Sequence, residues 1–301
     1  MNYPRIFERM YCNPLLITSE RFYAAHQVLL PRIVRGADSS LEAALLDVNA
    51  AGTPTKNGSG RRTQRAAPKV DWRTGQVVDD RLYTFAKEGV AVIPIYGVLA
   101  KNLSAFEESC GGGTDINPIA HALMQAEKDP EVVKTVLDFD TPGGEVTGIP
   151  ETGARIRKLA LSKPVIAFSD ATTASAGYWL ASQADEFYGT PSSRQGSIGV
   201  YSAWLDETVA LEMKGYSLEL FAAGKHKAMG MPFRGLSDEE RDMLQANVDA
   251  IYRDFKAAVT SNRRGVAEET MQGQMFRAPE ALERGLLDGI VADWEEFVDL
   301  V

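Results

Sequence analysis

From Val90 onward, short apolar runs alternate with helix-spaced segments, and that alternation restricts the fold more than any other feature. Val90-Ala91-Val92-Ile93-Pro94-Ile95-Tyr96 is a continuous apolar run, the mark of a strand buried on both faces. Further strands are expected at residues 132–137, 164–168 and 186–188, and at 217–221, where Leu218 and Leu220 alternate. Between them, Asp115 is placed to cap a helix through Ile119, Leu123 and Met124. Residues 150–162, 174–183 and 205–214 also read as helices. Ser237-Asp238-Glu239-Glu240 forms a capping box that opens a long helix to about Asn262. Strands alternating with helices predict βαβ units, hence an α/β fold with a mainly parallel sheet.

Three segments are expected. Residues 1–50 hold two helices, near 19–30 and 41–48, as a small helical N-terminal segment. Residues 51–75 form a flexible linker carrying Arg61, Arg62 and Arg65; its first part has almost no apolar side chain larger than Ala. Residues 76–301 form the main domain. A net charge of -9 argues against a nucleic-acid surface, which needs clustered positive charge. No run of 18 apolar residues exists, so no membrane anchor is expected, and the N-terminus shows no secretory signal. A cytoplasmic location follows, with Cys12 and Cys110 as free thiols. There is no metal-ligand spacing and no phosphate-binding glycine loop, so neither metal nor cofactor is expected.

Three stretches can carry chemistry. Thr141-Pro142-Gly143-Gly144 follows a strand, and ligands in α/β sheets bind beyond the carboxyl ends of strands. Its glycines can turn N–H groups toward a developing oxyanion, or the stretch is a plain turn. Ala174-Ser175-Ala176-Gly177-Tyr178-Trp179 opens a helix after another strand. Ser175 there reads either as a nucleophile, with the Ala176 N–H as an oxyanion donor, or as a helix cap. Gly196-Ser197-Ile198-Gly199 is a tight turn in which Ser197 can orient a base, or an ordinary approach to a strand. A serine nucleophile needs a base. His26 and His121 lie in helical segments and read as surface or packing residues, while His226, between Lys225 and Lys227, leaves a Ser-His-Asp triad open. A lysine serves only when neutral, and the following Ala228-Met229-Gly230-Met231 supplies apolar neighbours for that.

Taken in order, Thr-Pro-Gly-Gly at 141–144, Ala-Ser-Ala-Gly-Tyr-Trp at 174–179, Gly-Ser-Ile-Gly-Val at 196–200, and His226-Lys227 before a capped helix resemble the protease IV (SppA) family. Met275-Phe276 and Gly285-Leu286-Leu287-Asp288 extend the resemblance over roughly residues 85 to 295. It implies a ClpP/crotonase-like fold and a serine endopeptidase with a Ser-Lys dyad. Ser175 would be the nucleophile and Lys227 the base, with Lys225 as rival. Ser197 would orient the lysine, and Gly143, Gly144 and Ala176 would line the oxyanion hole. The branch that looks closer is the head-maturation protease of lambda-type phages, which implies scaffold, portal or capsid proteins as substrates, a procapsid setting in the host cytoplasm, and a homo-oligomer. Self-cleavage near Arg61 is left open. The rivals are a cytoplasmic bacterial peptidase of the same family, an acyl-CoA hydratase or isomerase of the crotonase fold, and a minor capsid protein with a vestigial dyad.

Overall fold

The computed structural model describes residues 14–19, 22, 69–70, 77–103 and 113–301. Ser19 and Phe22 are helical. The rest of the two expected N-terminal helices, most of the linker with its three arginines, Cys12, Cys110 and His26 lie outside the described residues. The chain divides into two compact units: a larger one drawn from Leu16–Gly199 and Phe255–Val301, and a smaller one drawn from Met1–Leu15 and Val200–Asp254.

Strand β1 (Leu15–Ile17) is a short apolar run with Leu16 fully buried. β2 (Lys69–Val70) and β3 (Val77–Asp79) pair antiparallel. β4 (Thr84–Lys87) and β5 (Val90–Tyr96) form the next antiparallel pair. Pro94 is accommodated inside β5 because β4 reaches only to Val92, and beyond it that edge of β5 needs no ladder donor. β6 (Val98–Ala100) and β7 (Gly113–Asp115) run parallel. Asp115 then caps α1 (Ile116–Lys128), accepting the Asn117 N–H at 3.0 Å, as its sequence position predicts.

β8 (Lys134–Asp140) is the middle of the main sheet. It pairs in parallel with β5 from Val90↔Lys134 to Tyr96↔Asp140. β9 (Gly143–Glu145) leads to α2 (Ile149–Ala160), and β10 (Val165–Ser169) lies parallel to β8 on its other side. After β11 (Thr172–Ala174) and the short α3 (Ala176–Ala181), β12 (Glu186–Gly189) extends the sheet. β13 (Arg194–Gly196) closes the first half of the unit. Its second half adds β14 (Met275–Arg277) and β15 (Gly289–Ile290). The main sheet has the order β15-β12-β10-β8-β5-β4 and is parallel except at β4. It is the α/β architecture that the alternation of runs predicts.

One face of this sheet builds a core from Val90, Val92, Val136, Ile166 and Phe168, closed by Val291 and Phe297. Phe168 meets Phe297 with ring centroids 4.4 Å apart. Elsewhere Trp179 stacks on Phe255 at 4.8 Å, which ties α3 to the end of the long helix. Arg263 is buried and ion-paired with Asp288, whose carboxylate also accepts the Phe187 N–H at 2.7 Å. The Gly-Leu-Leu-Asp segment is thereby anchored to β12.

In the smaller unit, α4 (Thr208–Met213) is followed by a stretch that is not a strand. The alternation of Leu218 and Leu220 misleads here. Tyr216, Leu218, Leu220 and Phe221 are all exposed, and no described strand pairs with them. Alternation signals a strand only where a partner ladder and one covered face exist. The capping box forms as expected at the start of α5 (Asp238–Asn262). Ser237 N–H donates to Glu240 at 3.0 Å, and Glu240 N–H donates to the Ser237 hydroxyl at 3.3 Å.

Candidate active site

Thr141 sits at the carboxyl end of β8 and organises the ground around it. Its N–H donates to Thr172 O at 2.7 Å, and its carbonyl accepts the Ala174 N–H at 3.1 Å, so β11 docks against it. Its hydroxyl donates to Gly97 O at 2.6 Å and accepts the Gly143 N–H at 3.1 Å. The Gly143 amide is therefore already engaged, whereas an oxyanion donor needs a free N–H. Gly143 has φ +99, and a β-carbon there would lie 2.1 Å from Leu16 O and 2.9 Å from Ser175 Cβ. Gly144 is required for another close approach. A β-carbon would fall 1.8 Å from Leu99 O, because β9 lies directly on β6 in the pairing Leu99↔Gly144.

Ser175 occupies the N-cap position of α3, yet its side chain makes no capping hydrogen bond. Its φ of 54 and ψ of -117 match the first central residue of a type II′ turn, a place glycine normally takes. The residue is fully buried, and its hydroxyl has no hydrogen-bond partner among the described residues. A strained backbone costs about 1–3 kcal/mol, and an unpaired buried hydroxyl costs about 1–3 kcal/mol. A residue that only capped a helix would carry neither penalty. The backbone holds this conformation firmly: Ser175 N–H donates to Gly196 O at 2.9 Å, and Ser175 O accepts the Trp179 N–H at 2.8 Å. The small neighbours have a packing reason, since a β-carbon at Gly177 would sit 2.3 Å from the Thr141 methyl. Ala176 is also buried, and as the first helical residue its N–H has no intrahelical carbonyl to bond.

Ser197 follows β13, which pairs parallel to β11 at Ala174↔Gly196 and antiparallel to β14 at Gly196↔Met275. Gly196 has φ +125, and Ser197 itself has φ 53 with its N–H on Gln274 O at 2.6 Å. The larger unit thus brings Ser175, Ala176, Gly143, Gly144 and the Gly196-Ser197 turn together.

The proposed bases lie in the smaller unit. Lys225 forms an ion pair with Glu239. His226 is half-buried with Nε2 3.6 Å from Glu239, and its Nδ1 has no hydrogen-bond partner among the described residues. Lys227 is exposed rather than packed among apolar side chains; its backbone N–H donates to Gly224 O at 3.1 Å, and its side-chain amine makes no hydrogen bond or ion pair among the described residues. Of the two lysines, it is the one whose amine is uncommitted. The loop bearing it is held by Arg234. The Arg234 Nε–H donates to Ala228 O at 2.9 Å, and its other nitrogens grip Glu240 from the capping box. That bond, and next the Ser237 N–H, hold the Glu240 carboxyl down to about 2. Thr141, Arg234 and Glu240 are site-supporting residues that motif reading missed. Thr141 shows in the sequence as part of Thr-Pro-Gly-Gly and Glu240 as part of a capping box, while Arg234 carries no motif signal. Among the described residues no group of side chains could hold a metal ion, and no helix is long and apolar enough to cross a membrane.

Residues 157–299 match the model of peptidase family S49. Capsid assembly protease C of Escherichia phage lambda is 35% identical over 206 residues, covering 67% of this chain and 46% of that protein. Head-tail preconnector protein GP5 of Enterobacteria phage P21 is 32% identical over 205 residues, covering 67% of this chain and 41% of that protein. The chain therefore spans less than half the length of these two relatives. Among solved structures, a ClpP1 mutant from Listeria monocytogenes superposes with a TM-score of 0.41 at 14% identity, covering 68% of this chain and 93% of that one. Four motifs in order, a strained buried serine beyond a strand end and the family match lead to one assignment: the chain carries a peptidase family S49 domain.

Proposed function

We propose that the protein is a serine endopeptidase that works through a Ser175-Lys227 dyad and processes phage head proteins. The observation that carries this reading is Ser175, which holds a glycine-like backbone and a buried hydroxyl unpartnered among the described residues. Neutral Lys227 takes the Ser175 proton as Oγ attacks the scissile carbonyl carbon. The Ala176 N–H and the Gly143-Gly144 strand face the oxyanion, with Ala176 as the free donor and the Gly143 amide released only if Thr141 turns away. The C–N bond then breaks, and the Lys227 ammonium returns its proton to the leaving amine. Water, deprotonated by Lys227, hydrolyses the acyl ester. Lys227 is exposed in the free chain, so this reading requires the bound substrate to cover it. Ser197 directs the amine.

The phage relatives support scaffold, portal or capsid proteins as substrates, and action inside an assembling procapsid in the host cytoplasm. The exposed Met213, Tyr216, Leu218, Leu220 and Phe221 support self-association into a homo-oligomer, which light scattering would read directly. Co-expression with the neighbouring head proteins tests the enzyme reading. Ser175→Ala and Lys227→Ala should each leave them uncut, and full processing by either variant rejects the dyad.

A further inference from the structure

The edge of β9 beside the nucleophile is already occupied by the chain's own β1. The sheet order β1-β9-β6-β7 puts β6 on one side of β9 and β1 on the other. Thr18 N–H donates to Pro142 O at 3.0 Å, within the Thr-Pro-Gly-Gly motif itself. The Leu16 carbonyl oxygen and the Ser175 β-carbon flank the same methyl-sized space at Gly143, 2.1 Å and 2.9 Å from where a β-carbon would stand. Leu16 is fully buried and Thr18 nearly so. A backbone carbonyl of an extended segment and the Ser175 side chain thus both approach Gly143.

An open strand edge is a template for an incoming extended peptide, bound by main-chain hydrogen bonds. The polypeptide that a peptidase cuts must present an extended backbone carbonyl to the nucleophile, and β1 is an extended segment paired with β9 at the motif. We propose that residues 14–18 form an internal strap that occupies the substrate's strand position, so a protein substrate binds only by displacing it. This inference rests on Ser175 being the nucleophile, as proposed above. The strap is a three-residue strand, held by its pairing with β9, by the Thr18 amide on Pro142 O and by the Leu15–Tyr201 bridge. A longer substrate strand forms more main-chain bonds than this short segment, and so can exchange for it.

Thr18→Pro in the full chain removes the N–H that bonds Pro142 without adding charge. Loss of one net hydrogen bond should raise kcat/KM for an unstructured protein such as casein by about threefold to tenfold. A synthetic peptide of residues 13–19 is the second probe, with binding read by fluorescence polarisation on Ser175→Ala chains, where no cleavage occurs. The peptide should bind Ser175→Ala/Thr18→Pro more tightly than Ser175→Ala by a similar factor. Equal affinities, or unchanged kcat/KM in a Thr18→Pro variant of unaltered melting temperature, would overturn the strap. If casein is never cut but the peptide discriminates between the two chains, the strap stands and the peptidase reading falls.

Discussion

The amide of Ser175 donates to the carbonyl of Gly196 at 2.9 Å, which fastens the proposed nucleophile's backbone to the turn that presents Ser197. Through this bond, β11 and β13 end together, and the strain at Ser175 is held by a neighbouring strand rather than by the short helix it begins. Residues far apart in sequence are set in register before any substrate arrives.

Gly196→Ala should break that register. Its φ of +125 suits only glycine, and a β-carbon would lie 2.5 Å from Gln274 O, a backbone atom with little freedom to move. Destabilisation of about 1–3 kcal/mol is expected. A fall in melting temperature accompanied by loss of peptidase activity would show it.

Thr141→Val keeps the branched shape and removes the hydroxyl. Gly97 O then loses its donor and the Gly143 N–H its acceptor. A cost of about 1–3 kcal/mol follows for the unpaired buried groups. Thr141→Ser should recover most of the stability, because it restores both bonds. Chemical denaturation of the three proteins makes the comparison.

The Arg234-Glu240 clamp should matter for kcat more than for KM, since it holds the loop of Lys227 and touches no substrate. Arg234→Ala is expected to lower kcat at least tenfold with KM little changed. Glu240 also gives the clamp a pH signature. Its carboxyl is held below the ordinary 4.5, at about 2, so its stabilisation is complete above about 4.5 and disappears as pH falls through about 2. Amide exchange at residues 228–234 should stay slow down to that window and then accelerate. In Glu240→Gln the acceleration should be absent and exchange faster at neutral pH.

Phe168→Ala tests the core that supports the sheet. Phe168 is fully buried against Phe297 and Trp294. Such a truncation costs about 3–5 kcal/mol, with no direct contact to the site, so a loss of stability at preserved serine labelling below the melting point is expected.

Much of this was legible where chemistry is local. Asp115 announces its helix because a cap needs only the next two residues, and Ser237 with Glu240 does the same. The runs of β5, β8 and β10 are legible because parallel central strands are apolar on both faces. The three-residue strands β9, β11 and β13 are too short to show a period, yet they build the site. Leu15-Leu16-Ile17 passes as part of a helical N-terminal region because its strand character comes from β9, more than a hundred residues away in sequence. The same dependence on a partner explains the opposite error at 217–221, where the pattern is present and the ladder is not. Ser175 could be suspected from its small neighbours, but the strain and missing cap bond that distinguish it from an ordinary helix start exist only in three dimensions.

The most direct test of the central claim is mass-spectrometric mapping of a fluorophosphonate that reacts covalently with activated serines. The account predicts a single label on Ser175 in the native chain, abolished by heat unfolding and slowed at least a hundredfold by Lys227→Ala. Labelling of another serine, or equally fast labelling of Ser175 when Lys227 is alanine, would contradict it.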